Sequence, residues 1–183
     1  MNAVTLTVSI PATVLSCQVA GDTIVAAGPA PGFPELQPLH HYAGQWEDEI
    51  AGKPGKRRTE TAEWILQGRF LRQTWTSESE DNLPPASGIT LSTFDTTLQR
   101  YRSWAFHAAG SVIENEGEWD AATQTFSWSH PVPETTDKII TTASFLDEQT
   151  QTWSIVKIDA QGKILREVAG RSLRRTPRFL HAA

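Results

Sequence analysis

From Trp46 onward, hydrophobic and polar residues alternate in short stretches, and turn residues separate these stretches at intervals of roughly 8 to 14 residues. In the stretch RYRSWAFH (100–107), even-numbered side chains share one face and odd-numbered side chains share the other. In TFSWSH, the residues Phe126, Trp128 and His130 likewise share a face. This alternation predicts ten β-strands, over residues 46–51, 57–66, 69–77, 88–95, 100–107, 112–119, 125–131, 137–146, 151–159 and 163–173.

A repeated turn motif predicts how these strands are connected. The stretches FDTTLQ, WDAATQ, LDEQTQ and IDAQGK each place an aspartate directly after the last apolar residue of a strand, at Asp95, Asp120, Asp147 and Asp159. An aspartate at the start of a turn accepts hydrogen bonds from backbone N–H groups a few residues further on and closes a tight hairpin. Consecutive strands are therefore expected to pair antiparallel.

Residues 33–44, FPELQPLHHYAG, form the only stretch with helical spacing. Leu36, Leu39 and Tyr42 recur at three-residue intervals before Gly44 ends the pattern. Ten antiparallel strands are more than an open sheet usually carries without curling, and closure removes both edges. The expected fold is all-β, a ten-stranded antiparallel up-and-down barrel with a short N-terminal helical plug across one end.

The distribution of charge supports closure of the barrel. The net charge of −5 originates in the first 52 residues, which contain five carboxylates and no lysine or arginine. The C-terminal strand is rich in arginine, including Arg171, Arg174 and Arg175. Opposite charges at the two ends of the chain are what we expect if the first and last strands lie side by side. Two solvated stretches of surface would show the same charge pattern and are the alternative interpretation. A net-acidic chain without a basic stripe also makes nucleic acid a poor partner.

The length of 183 residues suits one domain. Residues 1–35 are expected to be a weakly structured extension, residues 36–176 the barrel and residues 177–183 a tail. The single cysteine, Cys17, excludes an internal disulfide. No apolar run is long enough to span a membrane. Because no basic residue precedes the apolar N-terminus, a cytoplasmic location is slightly favoured over export, with a processed signal left open.

Two sets of residues resemble known families. Gly44-x-Trp46 after a helical turn resembles the opening signature of lipocalin and nitrobindin-like (calycin) barrels, in which the Trp packs across the barrel floor under a cation from the last strand. That resemblance implies a structural role for Gly44 and Trp46, with Arg171, Arg174 or Arg175 as the cation. The stretches 61–73, 94–106 and 113–128 are similar to a bacterial domain-of-unknown-function family, number fifteen seventy-nine. This second resemblance covers about residues 36 to 175 and implies a lipocalin-like barrel without an established activity.

Catalytic and metal-binding chemistry find little support in the sequence. His40 and His41 are adjacent, and neighbouring side chains do not converge on one ion. No metal site is predicted, and haem on His181 is a disfavoured alternative because this residue lies in the expected tail. Glu114, Glu116 and Glu118 share one strand face, which is expected to be solvent-exposed with Trp119 facing inward. No catalytic residue and no cofactor are predicted.

The seven tryptophans indicate a cavity, because they are too many to pack on one barrel floor. The expected function is to bind a small hydrophobic or amphipathic molecule inside the barrel, without catalysis. Two alternatives remain open: an isomerase or hydrolase that uses a His or Glu base in the cavity, such as His107 or His130, and an interaction module with a filled barrel. The predicted ligand-binding residues are Trp64, Arg72, Gln73, Trp75, Arg102, Trp104, Trp128 and His130.

Overall fold

The computed structural model describes residues 31–52, 57–78 and 85–175. Most of the expected extension (1–30) and the tail with His181 lie outside these residues, whereas Pro34 and Glu35 belong to the plug helix. A 3-10 helix over Pro34–Tyr42 precedes ten strands, close to the predicted positions. The strands are β1 (Gly44–Ile50), β2 (Arg57–Ile65), β3 (Phe70–Ser77), β4 (Ser87–Asp95), β5 (Arg100–His107), β6 (Val112–Asp120), β7 (Thr125–Pro131), β8 (Lys138–Phe145), β9 (Thr150–Ile158) and β10 (Ile164–Arg174).

The ten strands form a closed antiparallel barrel in which each strand pairs with its neighbours in sequence and β1 pairs with β10. Trp46 lies opposite Arg174 in the β1–β10 register. Arg171 forms an ion pair with Glu49 at 2.7 Å across this seam, and Arg175 lies 3.9 Å from Glu47. The predicted closure, and the expected pairing of the acidic and basic ends, are therefore confirmed.

The aspartate turns close hairpins as predicted. Asp95 accepts hydrogen bonds from the backbone N–H groups of Thr97 and Leu98 at 2.9 and 3.0 Å. Asp120, Asp147 and Asp159 each accept a hydrogen bond from the backbone N–H two residues further on, at 2.8, 2.7 and 2.9 Å. Each turn aspartate thus satisfies backbone donors that the sheet ladder leaves unpaired.

The helix closes the end of the barrel at which β1 begins. It buries Leu36, Leu39 and Tyr42 against an aromatic core that includes Tyr101 and Phe126. The Tyr101 hydroxyl donates a hydrogen bond to the backbone carbonyl of Glu35 at 2.9 Å. Pro38 lies inside the helix and lacks the N–H that a longer α-helical ladder would need. The predicted plug is therefore present as a 3-10 helix. In the part of the chain that the structure describes, no helix has the length and apolar character needed to cross a membrane.

Gly44 and Trp46 join the plug to the barrel. Gly44 adopts a φ of 115°, which favours glycine, where the chain turns from the helix into β1. The Trp46 indole donates a hydrogen bond to the Tyr42 carbonyl at 2.8 Å, and Arg174 lies over its ring at 4.3 Å. Arg174 also donates to the carbonyls of His41 at 3.0 Å, Glu148 at 2.6 Å and Ala43. Of the three candidate arginines, Arg174 makes the contact with Trp46, whereas Arg171 extends outward to Glu49.

Candidate functional site

The middle of the barrel contains a cavity of about 180 Å³ between the aromatic floor and the opposite end. Because successive side chains of a strand point to opposite faces, every second residue of each strand reaches the interior. The cavity lining combines aromatic rings with many polar groups: Tyr42, Asp48, Arg58, Glu60, Gln73, Thr90, Ser92, Ser103, Asn115, Trp128, Gln151, Trp153 and Ser172. Ala105, Ala143 and Ile155 add apolar surface to the lining. The interior therefore combines apolar surface with more buried polar and charged groups than the few that the sequence suggested.

Three interior tryptophans lie against the barrel wall because each faces a glycine on the neighbouring strand. The cross-strand pairs are Trp75 with Gly88, Trp128 with Gly117 and Trp153 with Gly170. A methyl group at any of these glycines would lie closer than 3.0 Å to the facing ring, a distance that real side chains essentially never show. The glycines therefore let the rings lie flat, which leaves space in the middle of the barrel.

A charged cluster occupies one wall of the cavity. Arg58 donates a hydrogen bond from Nη2 to Glu60 Oε2 at 2.9 Å, and its Nε lies 3.8 Å from Asp48 Oδ2. The Gln73 amide donates to the other oxygen of Glu60 at 2.8 Å. The Arg58 guanidinium lies 4.9 Å from the centre of the Trp75 ring, within the range of a cation–π contact. These contacts hold Arg58 and Glu60 in fixed positions.

Asp48 is the least well-compensated charge in the interior. It is only 5% exposed, and burial raises the pKa of its carboxyl group, with the nearby charge of Glu60 acting in the same direction. The charge of Arg58, followed by the nearby Ser172 side chain, lowers this pKa without cancelling the effect of burial. A buried carboxylate with an incompletely satisfied charge costs folding free energy.

Four side-chain atoms of cavity-lining residues are buried without a hydrogen-bond partner among the described residues: Arg58 Nε, Gln151 Oε1, Trp153 Nε1 and Ser172 Oγ. Two of these atoms, the Gln151 oxygen and the Trp153 indole nitrogen, come from the same strand. One is an acceptor and the other is a donor. They belong to β9 two positions apart, and both residues line the cavity. Buried polar atoms are nearly always paired in folded proteins, so these two atoms mark a place where a water molecule or another small molecule would complete the hydrogen bonding.

The floor of the cavity is formed by Tyr42 and Trp128. The Trp128 indole donates a hydrogen bond to the Tyr42 hydroxyl at 3.2 Å. Burial is the largest cause of a strongly raised pKa for Tyr42, so its hydroxyl keeps its proton at any physiological pH. Tyr42 therefore presents a neutral hydroxyl where the plug meets the cavity.

The predicted ligand-binding residues divide among three locations. Gln73 and Trp128 line the cavity, Trp75 contacts Arg58, and His130 forms a 2.8 Å hydrogen bond with Asn115, which lines the cavity. Trp64 packs at the plug, where its indole donates to His40 Nδ1 at 3.0 Å. The remaining residues point outward by strand alternation: Arg72 pairs with Glu63, and Arg102 pairs with Asp95 and Glu114 and lies over Trp104.

Sequence reasoning did not identify Asp48, Arg58, Glu60 and Gln151 as candidate site residues. A usable signal was present, because Asp48 lies two positions after Trp46 on β1 and must share its inward face. The register then places Arg58 opposite Asp48, and Glu60 opposite Trp46. In the sequence, the run Glu47-Asp48-Glu49 looks like a solvated acidic stretch. Asp48, the one buried residue of the three, was therefore not recognised as an interior residue.

The other titratable candidates lie away from the cavity lining. Glu114, Glu116 and Glu118 are exposed, as expected. His41 stacks on Trp119 and Phe145 at the plug, and burial, followed by the charge of Arg174, lowers its pKa. Burial also lowers the pKa of His130. Within residues 31–52, 57–78 and 85–175, no three His, Cys, Asp or Glu side chains are placed to hold a metal ion together.

The fold and the cavity define a closed antiparallel ten-stranded barrel with a plugged floor and a polar chamber. Residues 34–169 match the sequence family described as a protein of unknown function (DUF1579). The match covers well over half of the chain, so this protein belongs to that family. The comparison with curated proteins gives no match.

Proposed function

We propose that this protein binds one small molecule, about the size of a single ring with one polar substituent, inside the barrel. The observation that carries the proposal is a pair of atoms on β9, Gln151 Oε1 and Trp153 Nε1, which are buried in the cavity wall without a hydrogen-bond partner among the described residues. A ligand with both an acceptor and a donor would satisfy both atoms at once. The resemblance to lipocalin and nitrobindin-like barrels supports a binding role of this kind.

The size of the cavity limits the guest. An apolar cavity of about 150 Å³ accommodates benzene, whereas pockets for drug-sized ligands typically measure about 300–1,000 Å³. At about 180 Å³, this chamber suits a ring-sized molecule and is too small for a long-chain lipid or a haem. The polar lining therefore narrows the expected hydrophobic or amphipathic guest to a small molecule that has an aromatic or apolar body and hydrogen-bonding groups.

The two alternatives receive different support. A filled barrel that serves only as an interaction module is disfavoured by the cavity itself. Catalysis is favoured by one observation, the raised pKa of the buried Asp48 carboxyl, since groups with shifted pKa values often act as acids or bases. A reaction would then consist of proton transfer between Asp48 and the bound molecule, and turnover of a bound ring would distinguish it from simple binding.

Tryptophan fluorescence provides the test, because Trp128 and Trp153 line the cavity. We expect benzamide to quench fluorescence saturably, with a Kd on the order of 1 mM for so few atoms. Palmitate and haemin are too large for the cavity and are expected to cause no saturable quenching of these interior tryptophans. No saturable quenching by benzamide would contradict the proposal. Trp104→Phe is the matched control, because this ring lies on the outer face and its removal should leave the benzamide-dependent change intact.

A second variant separates binding from structure. Gln151→Met replaces the amide by an apolar chain of similar length, and it should leave stability unchanged or slightly higher because a buried unpaired oxygen is removed. Benzamide affinity should fall by about tenfold, the cost of one good hydrogen bond. Unchanged affinity together with lost stability would assign Gln151 a purely structural role and contradict its place in the binding site.

A further inference from the structure

The charged residues of the cavity lining carry an excess of negative charge. Among the described residues that line the cavity, Asp48 and Glu60 are the carboxylates and Arg58 is the one cation. Both carboxylates lie deep in the wall, where Glu60 accepts hydrogen bonds from Arg58 and Gln73. Two carboxylates therefore share one cation, and one of them has no cationic partner of its own within the chamber.

The geometry identifies Asp48 as that carboxylate. Arg58 donates directly to Glu60 at 2.9 Å, whereas its nearest nitrogen lies 3.8 Å from Asp48, which is beyond hydrogen-bond distance. β10 faces Asp48 with Ser172 rather than with a basic residue. Arg171 and Arg175, the neighbouring cations of β10, extend outward to Glu49 and Glu47.

A second, independent feature of the same chamber also calls for a hydrogen-bond donor. Gln151 lines the cavity and is only 7% exposed, and its side-chain oxygen is buried with no hydrogen-bond partner among the described residues. The rings of Trp128, Trp153 and Tyr42 form other parts of the lining. Aromatic faces attract cations, and this attraction increases when the cation is desolvated.

We propose that the chamber selects a small ring that carries a positive charge, with the cationic donor group directed at Asp48 and Gln151 and the ring against the tryptophans. This inference rests on the proposed binding function and adds the charge of the ligand to it. A cation would supply the counter-charge that Asp48 lacks, whereas an anion of the same shape would face two carboxylates.

Three isosteric probes test the charge directly: benzamidine, benzamide and benzoate share a ring and a planar substituent but carry positive, zero and negative charge. In calorimetric titrations of the full chain near neutral pH, we expect benzamidine to bind at least about tenfold more tightly than benzoate, with benzamide between them. Benzoate binding as tightly as benzamidine would overturn the charge inference and leave the proposed binding function standing. No binding of any probe would overturn both.

Three variants locate the effect of charge within the chamber. Asp48→Asn should reduce the preference for benzamidine over benzoate by about tenfold, while benzamide binding changes little. Glu49→Gln is the matched control, because its side chain pairs with Arg171 on the outer face and should leave the preference unchanged. Circular dichroism and thermal unfolding establish that each variant folds. Glu60→Gln removes the other carboxylate of the lining and provides a second test of the charge preference. An unchanged preference in a folded Asp48→Asn protein would overturn the inference.

Discussion

The floor and the chamber of this barrel differ in how their buried polar groups are paired, although the same strands form both regions. At the floor, Phe126 is fully buried among aromatic rings, and Trp46 is held by Tyr42 and Arg174. In the chamber directly above, Asp48 is buried with an incompletely balanced charge, and the Gln151 oxygen is unpaired within the described part of the chain. The floor satisfies its polar groups, whereas the chamber leaves several unsatisfied.

This difference indicates what each region contributes. Burial of aromatic surface with paired hydrogen bonds stabilises a fold, and unpaired buried polar atoms destabilise it. A barrel needs the first kind of region to close, but it does not need the second. If the chamber binds a ligand as proposed, it is the part of the molecule where stability is given up for binding, which is the usual relation between stability and functional sites.

The largest expected effect comes from breaking the floor. Phe126 contacts Tyr42, Tyr101, Trp119 and Trp128 and is completely buried. Phe126→Ala should lower the free energy of unfolding by about 3–5 kcal/mol, measured by urea denaturation. Phe106→Ala is the control on the outer face, where the residue is 42% exposed, and should lower the free energy of unfolding much less. Equal losses for the two variants would contradict the assignment of the floor as the stabilising core.

The next largest effect should come from the arginine that joins the plug to the last strand. Arg174→Met removes the cation over Trp46 and the hydrogen bonds to the carbonyls of His41, Ala43 and Glu148. We expect a loss of about 2–4 kcal/mol in the free energy of unfolding. Arg171→Met removes only an exposed ion pair and should cost about 1 kcal/mol or less. A larger loss in the Arg171 variant would show that the seam, rather than the plug, depends on arginine.

The smallest expected effect has the opposite sign and lies in the chamber. The pKa of Asp48 is raised in the folded state, so its ionised form costs stability above that pKa, and the cost disappears as the pH falls toward the ordinary value of 3.8. Asp48→Asn should therefore raise the free energy of unfolding by on the order of 1 kcal/mol at neutral pH, with Arg58 still paired to Glu60.

The pH dependence distinguishes this effect from a general change in packing. The advantage of the Asn variant should shrink as the solution is acidified, when urea denaturation is repeated between neutral and mildly acidic pH. Glu60 and Arg58 of β2 are the charged groups that face Asp48, and β10 contributes Ser172. An advantage that grew on acidification would contradict the assigned direction of the pKa shift.

Much of the fold was readable from the sequence because its signals are local. The aspartates that end strands, such as Asp95 and Asp120, determine their own turns through side-chain hydrogen bonds. The Gly44-x-Trp46 signature marks the join between plug and barrel, and the charged ends indicate the β1–β10 seam. The choice of Arg174 over Arg171 depends on the register across that seam, which no local pattern specifies.

The chamber was harder to predict because it depends on which face of each strand points inward. Alternation divides RYRSWAFH correctly but does not say whether Arg102 and Trp104 or Ser103 and Ala105 face the interior. The presence of aromatic and basic residues on the outer face made Arg102 and Trp104 look like pocket residues. The buried polar groups, Asp48 and Gln151 among them, look from the sequence like surface residues, and only closure of the barrel places them inside.

A crystal structure of the protein with benzamidine tests the central claim most directly. The ring is expected inside the barrel against Trp128 and Trp153, with the amidinium group within hydrogen-bond distance of an Asp48 carboxylate oxygen. Benzamidine bound only to the outer surface, or bound inside with its amidinium directed away from Asp48, would contradict the account.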